Sequence, residues 1–295
     1  MSDSRSESLT RRIWGATWRI GAFILLFALC MTPLVLPLTR LAPTDGGGFG
    51  PRLQAMFDGA GLLAILAASA VMVLAVDRRP FSALGLGARG FPVNLALGAL
   101  LGAAMIALAG AGLVFGGVAE LDAGRLADRA GLPLAALSGV LNVATQDLLI
   151  AGFAYLVLAP RFGPRAAAIL LSILFVGLHA GALTGADAAI PALNLFLAGV
   201  LLISCRVVTG SLWLTMGVHF AWNYLQGPVL GLAVTGQSLT ENPPVLILSG
   251  PNWITGGAFG FEGGVAATAA TAAGVATVWL VGRNPVAGSK SASGH

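Results

Sequence analysis

Apolar residues in this chain run in long unbroken stretches, and polar residues gather between them. Eight such stretches can be drawn, at roughly 20–38, 59–76, 93–118, 133–158, 166–180, 189–206, 211–234 and 264–282. Most approach the about 20 residues that a helix needs to cross hydrocarbon, and the fifth is the shortest. Barrel strands would instead alternate lumen-facing and lipid-facing residues over about 10 positions. Continuous runs rich in Ala, Leu and Gly predict helices. The expected fold is therefore all-α: a polytopic integral membrane protein of about eight transmembrane helices.

Composition agrees with this pattern. Of 295 residues, 57% are hydrophobic and 9% charged, and the mean hydropathy is +0.87, more apolar than a soluble domain can cover. Charge placement adds an orientation, because short cytoplasmic loops collect Lys and Arg. With a cytoplasmic N-terminus, the inner segments hold Arg5, Arg11, Arg12, Arg19, Arg78, Arg79, Arg89, Arg161, Arg165, Arg206, Arg283 and Lys290, twelve of the 16 basic residues. The outer segments hold Arg40, Arg52, Arg125 and Arg129 with the acids Asp45, Asp58, Glu120, Asp122, Asp128, Asp187, Glu241 and Glu262. The expectation is a multi-pass cell-membrane protein with both termini cytoplasmic. Its isoelectric point near 9.8 then reflects topology and anionic lipid headgroups. No basic stripe or aromatic platform marks a nucleic-acid partner.

Residues 1–19 read as a disordered cytoplasmic tail, 20–282 as one membrane domain and 283–295 as a flexible cytoplasmic tail. The first apolar run is too long for a signal h-region and lacks an A-x-A exit, so it is expected to remain as a span. Gly46, Gly47 and Gly48 form a loop without the strand-to-helix context of a phosphate site. Cys30 and Cys205 lack C-x-x-C spacing and read as small apolar residues. His295, in a Gly- and Ser-rich tail, reads as solvated.

Against this background Asp147, His179 and His219 stand out as titratable residues deep inside apolar runs. Such groups are costly at membrane depth and usually face a protein interior or an aqueous cavity. At about 1.5 Å rise per residue, these three with Gln146 and Asn223 lie roughly 12–20 Å from the cytoplasmic ends of the fourth, fifth and seventh runs. One polar intramembrane cavity is thus the expectation. His219 and Asn223 share a helix face, as do Phe175 and His179. Ser172, about 10.5 Å along the helix from His179, is too far for a nucleophile–base pair. Phe175, Trp213, Trp222 and Tyr224 read as packing or interfacial residues, and Glu262 as a solvated loop acid.

The segment TQDLLIAGFAYLVLAPRFGPRAAAILLSILFVGLHA, followed by RVVTGSLWLTMGVHFAWNYLQG, resembles the CPBP family, the CAAX-protease and bacteriocin-processing (Abi) membrane proteins related to eukaryotic prenyl-protein endopeptidases. That family carries E-E-x-x-x-R, F-x-x-x-H and H-x-x-x-N or H-x-x-x-D on separate helices. The second motif is present as Phe175 to His179 and the third as His219 to Asn223. DRRPFSALGL, TGSLW and GPNWITGGAFGFEGG extend the likeness over about residues 75–282. The resemblance implies an intramembrane endopeptidase that cleaves a membrane-associated peptide or a protein's C-terminal tail through an activated water. It places Asp147, His179, His219 and Asn223 in the catalytic set, with Gln146 and Phe175 at the substrate.

The first motif departs from that pattern, reading Gln146, Asp147 and Ala151. In active members the first Glu is taken to activate water, the second Glu and the Arg to hold the site, and the His and Asn to bind water or the oxyanion. An amide at 146 can orient water but has no oxygen basic enough to take its proton. Ala151 supplies no cation for Asp147, which leaves His179 or His219 as the available partner. A pseudoprotease that holds a peptide or lipid-linked ligand, as an immunity or assembly factor would, is the alternative reading. No cofactor is expected; zinc is the one metal that two imidazoles and a carboxylate could take. The expected partners are a membrane-associated peptide or protein substrate and the lipid bilayer, and the oligomeric state is open.

Overall fold

The computed structural model describes residues 8–42, 50–88, 90–127, 129–184 and 188–283. Each apolar run becomes a helical rod. These are α1 (Leu9–Thr39), α2 (Pro51–Ala70), α3 (Phe91–Phe115), α4 (Leu132–Asp147) leading into α5 (Tyr155–Phe162), α6 (Pro164–Leu178), α7 (Ala189–Thr209), α8 (Leu212–Tyr224) and α10 (Val265–Arg283), with the single turn α9 (Asn252–Thr255) in the last connection. Local chemistry fixes several ends. Proline occupies the first turn of α2, α3, α4 and α6, where its missing N–H is not needed. Ser8 and Ser211 cap α1 and α8 by accepting from the backbone of Arg11 and Trp213.

Among the described residues, six helices are long and apolar enough to cross a membrane. Of the two shorter rods, Pro164–Leu178 packs one face on α7 and leaves Ile169, Leu170, Ile173, Leu174 and Leu178 exposed, whereas Leu212–Tyr224 is sheathed by α3, α4 and α7. Eight of the thirteen residues of α8 are buried and none is exposed. A helix hydrophobic all round suits such a core position. The eight runs are therefore eight rods, of which six have full spanning length.

Several boundaries differ from the sequence reading. Helix α1 starts at Leu9, inside what read as the 1–19 tail, and α10 continues to Arg283. Residues 1–7, with Arg5, and 284–295, with Lys290 and His295, lie outside the described residues, as do Asp45, Gly46, Gly47, Gly48, Arg89, Asp128 and Asp187. Asp58, expected in an outer loop, is instead a buried residue of α2, because that helix begins at Pro51, eight residues before the apolar run. Two three-residue strands, β1 (Ala119–Leu121) and β2 (Leu246–Leu248), pair antiparallel in the connections that follow α3 and α8. Basic residues gather at one end of the bundle. Arg19 bonds Asp77 at 2.8 Å there, and Arg12 reaches the carbonyl of Arg161 at 3.4 Å.

The tightest joint in the core is α3 against α8. A Cβ placed on Gly98 would lie 2.3 Å from the Leu214 carbonyl oxygen, and one on Gly217 would lie 2.3 Å from that of Leu95. Two backbones touch here, as small residues allow between membrane helices. This joint sets the position of α8, which carries His219. Gly217→Ala is expected to lower stability by about 1–3 kcal/mol through overpacking, read as a fall in thermal midpoint in micelles. Gly21→Ala, with nothing within 4 Å of its new methyl, serves as the reference. Equal effects of the two changes would show that the contact is not tight.

Candidate active site

Helix α4 ends at Asp147, and the chain widens at once into a π-helical segment, Leu148–Ala154, before α5 resumes. Such wide turns break the side-chain register of a helix and are frequent at functional sites. Asp147 is 2% exposed and its Oδ1 accepts from Nδ1–H of His219 at 3.0 Å. The partner left open in the sequence is thus His219. Its bond to Asp147 commits Nδ1 and leaves Nε2 as the nitrogen available to the cavity. Asp147 itself does not line the cavity; it stands behind His219.

His179 caps α6, and its Nδ1 bonds the Phe175 carbonyl at 2.8 Å, satisfying one of the open carbonyls of the last turn. The Phe175 ring lies between the two imidazoles, 4.5 Å from His179 and 6.3 Å from His219, centroid to centroid. Phe175 thus packs as an aromatic spacer. A cavity of about 990 Å³ is lined by Gln146, Phe175, His179, His219 and Asn223. Among the sequence candidates, Asp147 alone stays behind this wall. Among the described residues no group of three His, Cys, Asp or Glu side chains converges as a metal would require. Ser172 is buried and bonds the Ala168 carbonyl.

The amide at 146 is held by a chain of fixed polarity. Asp58 accepts from Asn142 Nδ2 at 3.0 Å, from Gln54 at 3.2 Å and from the Ser138 hydroxyl. With its nitrogen so committed, Asn142 offers Oδ1, which accepts from Gln146 Nε2 at 2.6 Å. Gln146 therefore presents its amide oxygen as the remaining acceptor. Ala151 is 1% exposed in the packed core and supplies no cation where the family motif carries its Arg.

The sequence missed three acids of this cavity, Asp58, Glu241 and Glu262. Glu262 is not a solvated loop residue. Its Oε1 accepts from the Thr235 backbone and, at 2.7 Å, from the Thr235 hydroxyl, while Oε2 accepts from Trp222 Nε1 at 3.3 Å. Asn194 of α7 fixes the same loop by donating to the carbonyls of Glu262 and Gly264 at 2.8 and 2.9 Å. The turn needs Gly260, whose φ of 100° is left-handed and whose Cβ would lie 2.0 Å from the Ala233 carbonyl. That glycine, inside GPNWITGGAFGFEGG, was the available signal. Burial pushes the Glu262 carboxyl above its ordinary value, opposed by the bonds from Thr235 and Trp222 and by the nearby His219.

A family model described as type II CAAX prenyl endopeptidase, Rce1-like, matches residues 128–225. This stretch contains α4 to α8 and therefore Asp147, His179, His219 and Asn223. Over this stretch the chain is similar to the type II CAAX prenyl endopeptidases, which supports the likeness carried by its motifs. No curated protein and no solved structure matches the chain. Glu262 lies beyond the matched residues, on a loop that reaches back to the same cavity.

Glu262 also supplies a pH test. Its folded-state carboxyl binds protons more tightly than the unfolded one, so the native state holds more protons and stability falls as pH rises from about 4.5 through the raised value. The thermal midpoint of the native chain is expected to decline over that window, and Glu262→Gln to flatten the decline. An unchanged slope in the variant would assign the effect to another group.

Proposed function

We propose that this chain is an intramembrane endopeptidase of the CAAX type in which the Asp147–His219 pair does the work of the missing glutamate base. The observation that carries this reading is the 3.0 Å bond between Asp147 and His219 Nδ1, behind a ring that lines the cavity. In the reaction a water held by His219 Nε2 and the Gln146 amide oxygen gives its proton to Nε2, and its oxygen bonds to the scissile carbonyl carbon. The Asn223 amide, one helical turn from His219, donates to the developing oxyanion. As the C–N bond breaks, the imidazolium returns its proton to the leaving amine, which restores the site. Asp147 does not touch the substrate; it orients His219 and stabilises the imidazolium, as a carboxylate does for a basic histidine.

Helix α6 lines the same cavity through Phe175 and His179 and exposes Ile169, Leu170, Ile173 and Leu174 on its other face, which supports a substrate that enters from the bilayer, a membrane-associated peptide or a protein's C-terminal tail. The basic end of the bundle, with Arg12, Arg19 and Arg161, supports cytoplasmic termini in a cell membrane. A second reading, the pseudoprotease, is favoured by one feature: Gln146 and Ala151 stand where the family keeps its base and its cation.

Proteoliposomes bearing the native chain and a library of membrane-tethered peptides, read by mass spectrometry, separate the two. The expectation is cleavage by the native chain and a drop of about 10²–10⁴-fold in Asp147→Asn, with His219→Ala inactive. Ligand-dependent thermal stabilisation without any cleavage would sink the endopeptidase reading and establish the binding protein.

A further inference from the structure

The wall of the cavity is uneven in charge. Among the described residues Asp58, Glu241 and Glu262 line it, and no Lys or Arg does. Every described donor to Asp58 and to Glu262 is neutral: amides and a hydroxyl for the first, the Thr235 N–H and O–H and the Trp222 indole for the second. Among the described residues neither carboxylate has a salt-bridge partner. A carboxylate held deep in protein without a countercharge is costly, and a cation that arrives beside it removes the cost.

Glu262 is the better placed of the two. Its Oε1 is taken up by the two Thr235 donors, while Oε2 accepts only the Trp222 N–H among the described residues. An ionised carboxylate oxygen can accept more than one hydrogen bond. Trp222, which also lines the cavity, sits three residues after His219 on α8, so it shares a helix face with that ring. The indole holds Oε2 through its N–H at 3.3 Å. A positive group held there would sit about one helical turn from His219.

Resting on the reading that this cavity holds a peptide, we propose that Glu262, with Trp222 beside it, forms a subsite for a cationic side chain of that peptide, an ammonium or a guanidinium. The loop carrying Glu262 is built before any ligand arrives, because Asn194 and Thr235 hold its backbone and its carboxylate in place. The subsite is therefore pre-organised, which lowers the entropic cost of binding. Asp58, on the α2 wall of the same cavity, adds to the negative field that draws the cation in.

The test uses two probes, N-dodecanoyl-Ala-Arg-Ala amide and its twin with citrulline in place of arginine, which keeps the shape and removes the charge. Binding to the full chain in phosphatidylcholine nanodiscs is followed by tryptophan fluorescence, with empty nanodiscs as the blank and mass spectrometry to score cleavage. The native chain is expected to bind the arginine probe about tenfold or more tightly than its twin, and Glu262→Gln to lose that preference. A native ratio below tenfold, including no measurable binding of either probe, overturns the proposal. So does a preference that survives intact in Glu262→Gln. Should that variant not fold, Glu262→Asp, which retains the charge but shortens its reach, is expected to lower the ratio, and an unchanged ratio overturns the proposal. Preference without cleavage supports the subsite and defeats hydrolysis, whereas cleavage without preference does the reverse.

Discussion

A carboxylate and an imidazole bonded to one another in the middle of an apolar bundle constrain everything around them. Asp147 at 2% exposure cannot be solvated, so its one described bond, to His219 Nδ1, has to be held by packing. Helix α4 delivers the carboxylate at its last α-helical residue, and the π turn that follows turns Ala151 into the core. Helix α8 delivers the ring from the most enclosed position in the bundle, fixed by backbone contact with α3 at Gly98 and Gly217. Loosening either support would leave a buried carboxylate without its partner, which costs far more than an exposed pair gains.

The departure at the first family motif takes on a physical meaning around that bond. A carboxylate pair at 146 and 147 would need a cation, and Ala151, buried in the core, supplies none. With an amide at 146, the negative charge of that wall sits instead on Asp58 of α2, two hydrogen bonds away through Asn142. The site thus keeps a carboxylate near its first-motif position while the basic atom facing the cavity is an imidazole nitrogen. A histidine oriented by a buried carboxylate is a competent base at ordinary pH. The loss of the glutamate is therefore not the loss of all proton-accepting chemistry.

Much of this was legible in the sequence, and the rest was hidden for identifiable reasons. Long apolar runs fixed the rods because bilayer and core both demand continuous hydrophobicity. Similar depths along those rods pointed to one wall for Gln146, His179, His219 and Asn223, which line the same cavity. Pairing was beyond that arithmetic, since depth says nothing about rotation, and rotation after Asp147 depends on a π turn without a sequence signature. Asp58 was misplaced because its helix begins with a polar turn, although Pro51 marked the start. Glu262 was misplaced because a Gly-rich connection reads as solvated loop, and only its folded turns, through Gly260 and Asn194, bring it back inside.

The tautomer of His219 is the most direct test of the account. Nitrogen-15 spectra of histidine-labelled protein contain signals from three residues at most, and His219→Asn identifies the one that matters. Bonded to Asp147 through Nδ1, the neutral ring is predicted to carry its proton on Nδ1 and to keep Nε2 unprotonated. A neutral His219 protonated on Nε2, with Nδ1 bare, would contradict the pairing and with it the assignment of His219 as the base.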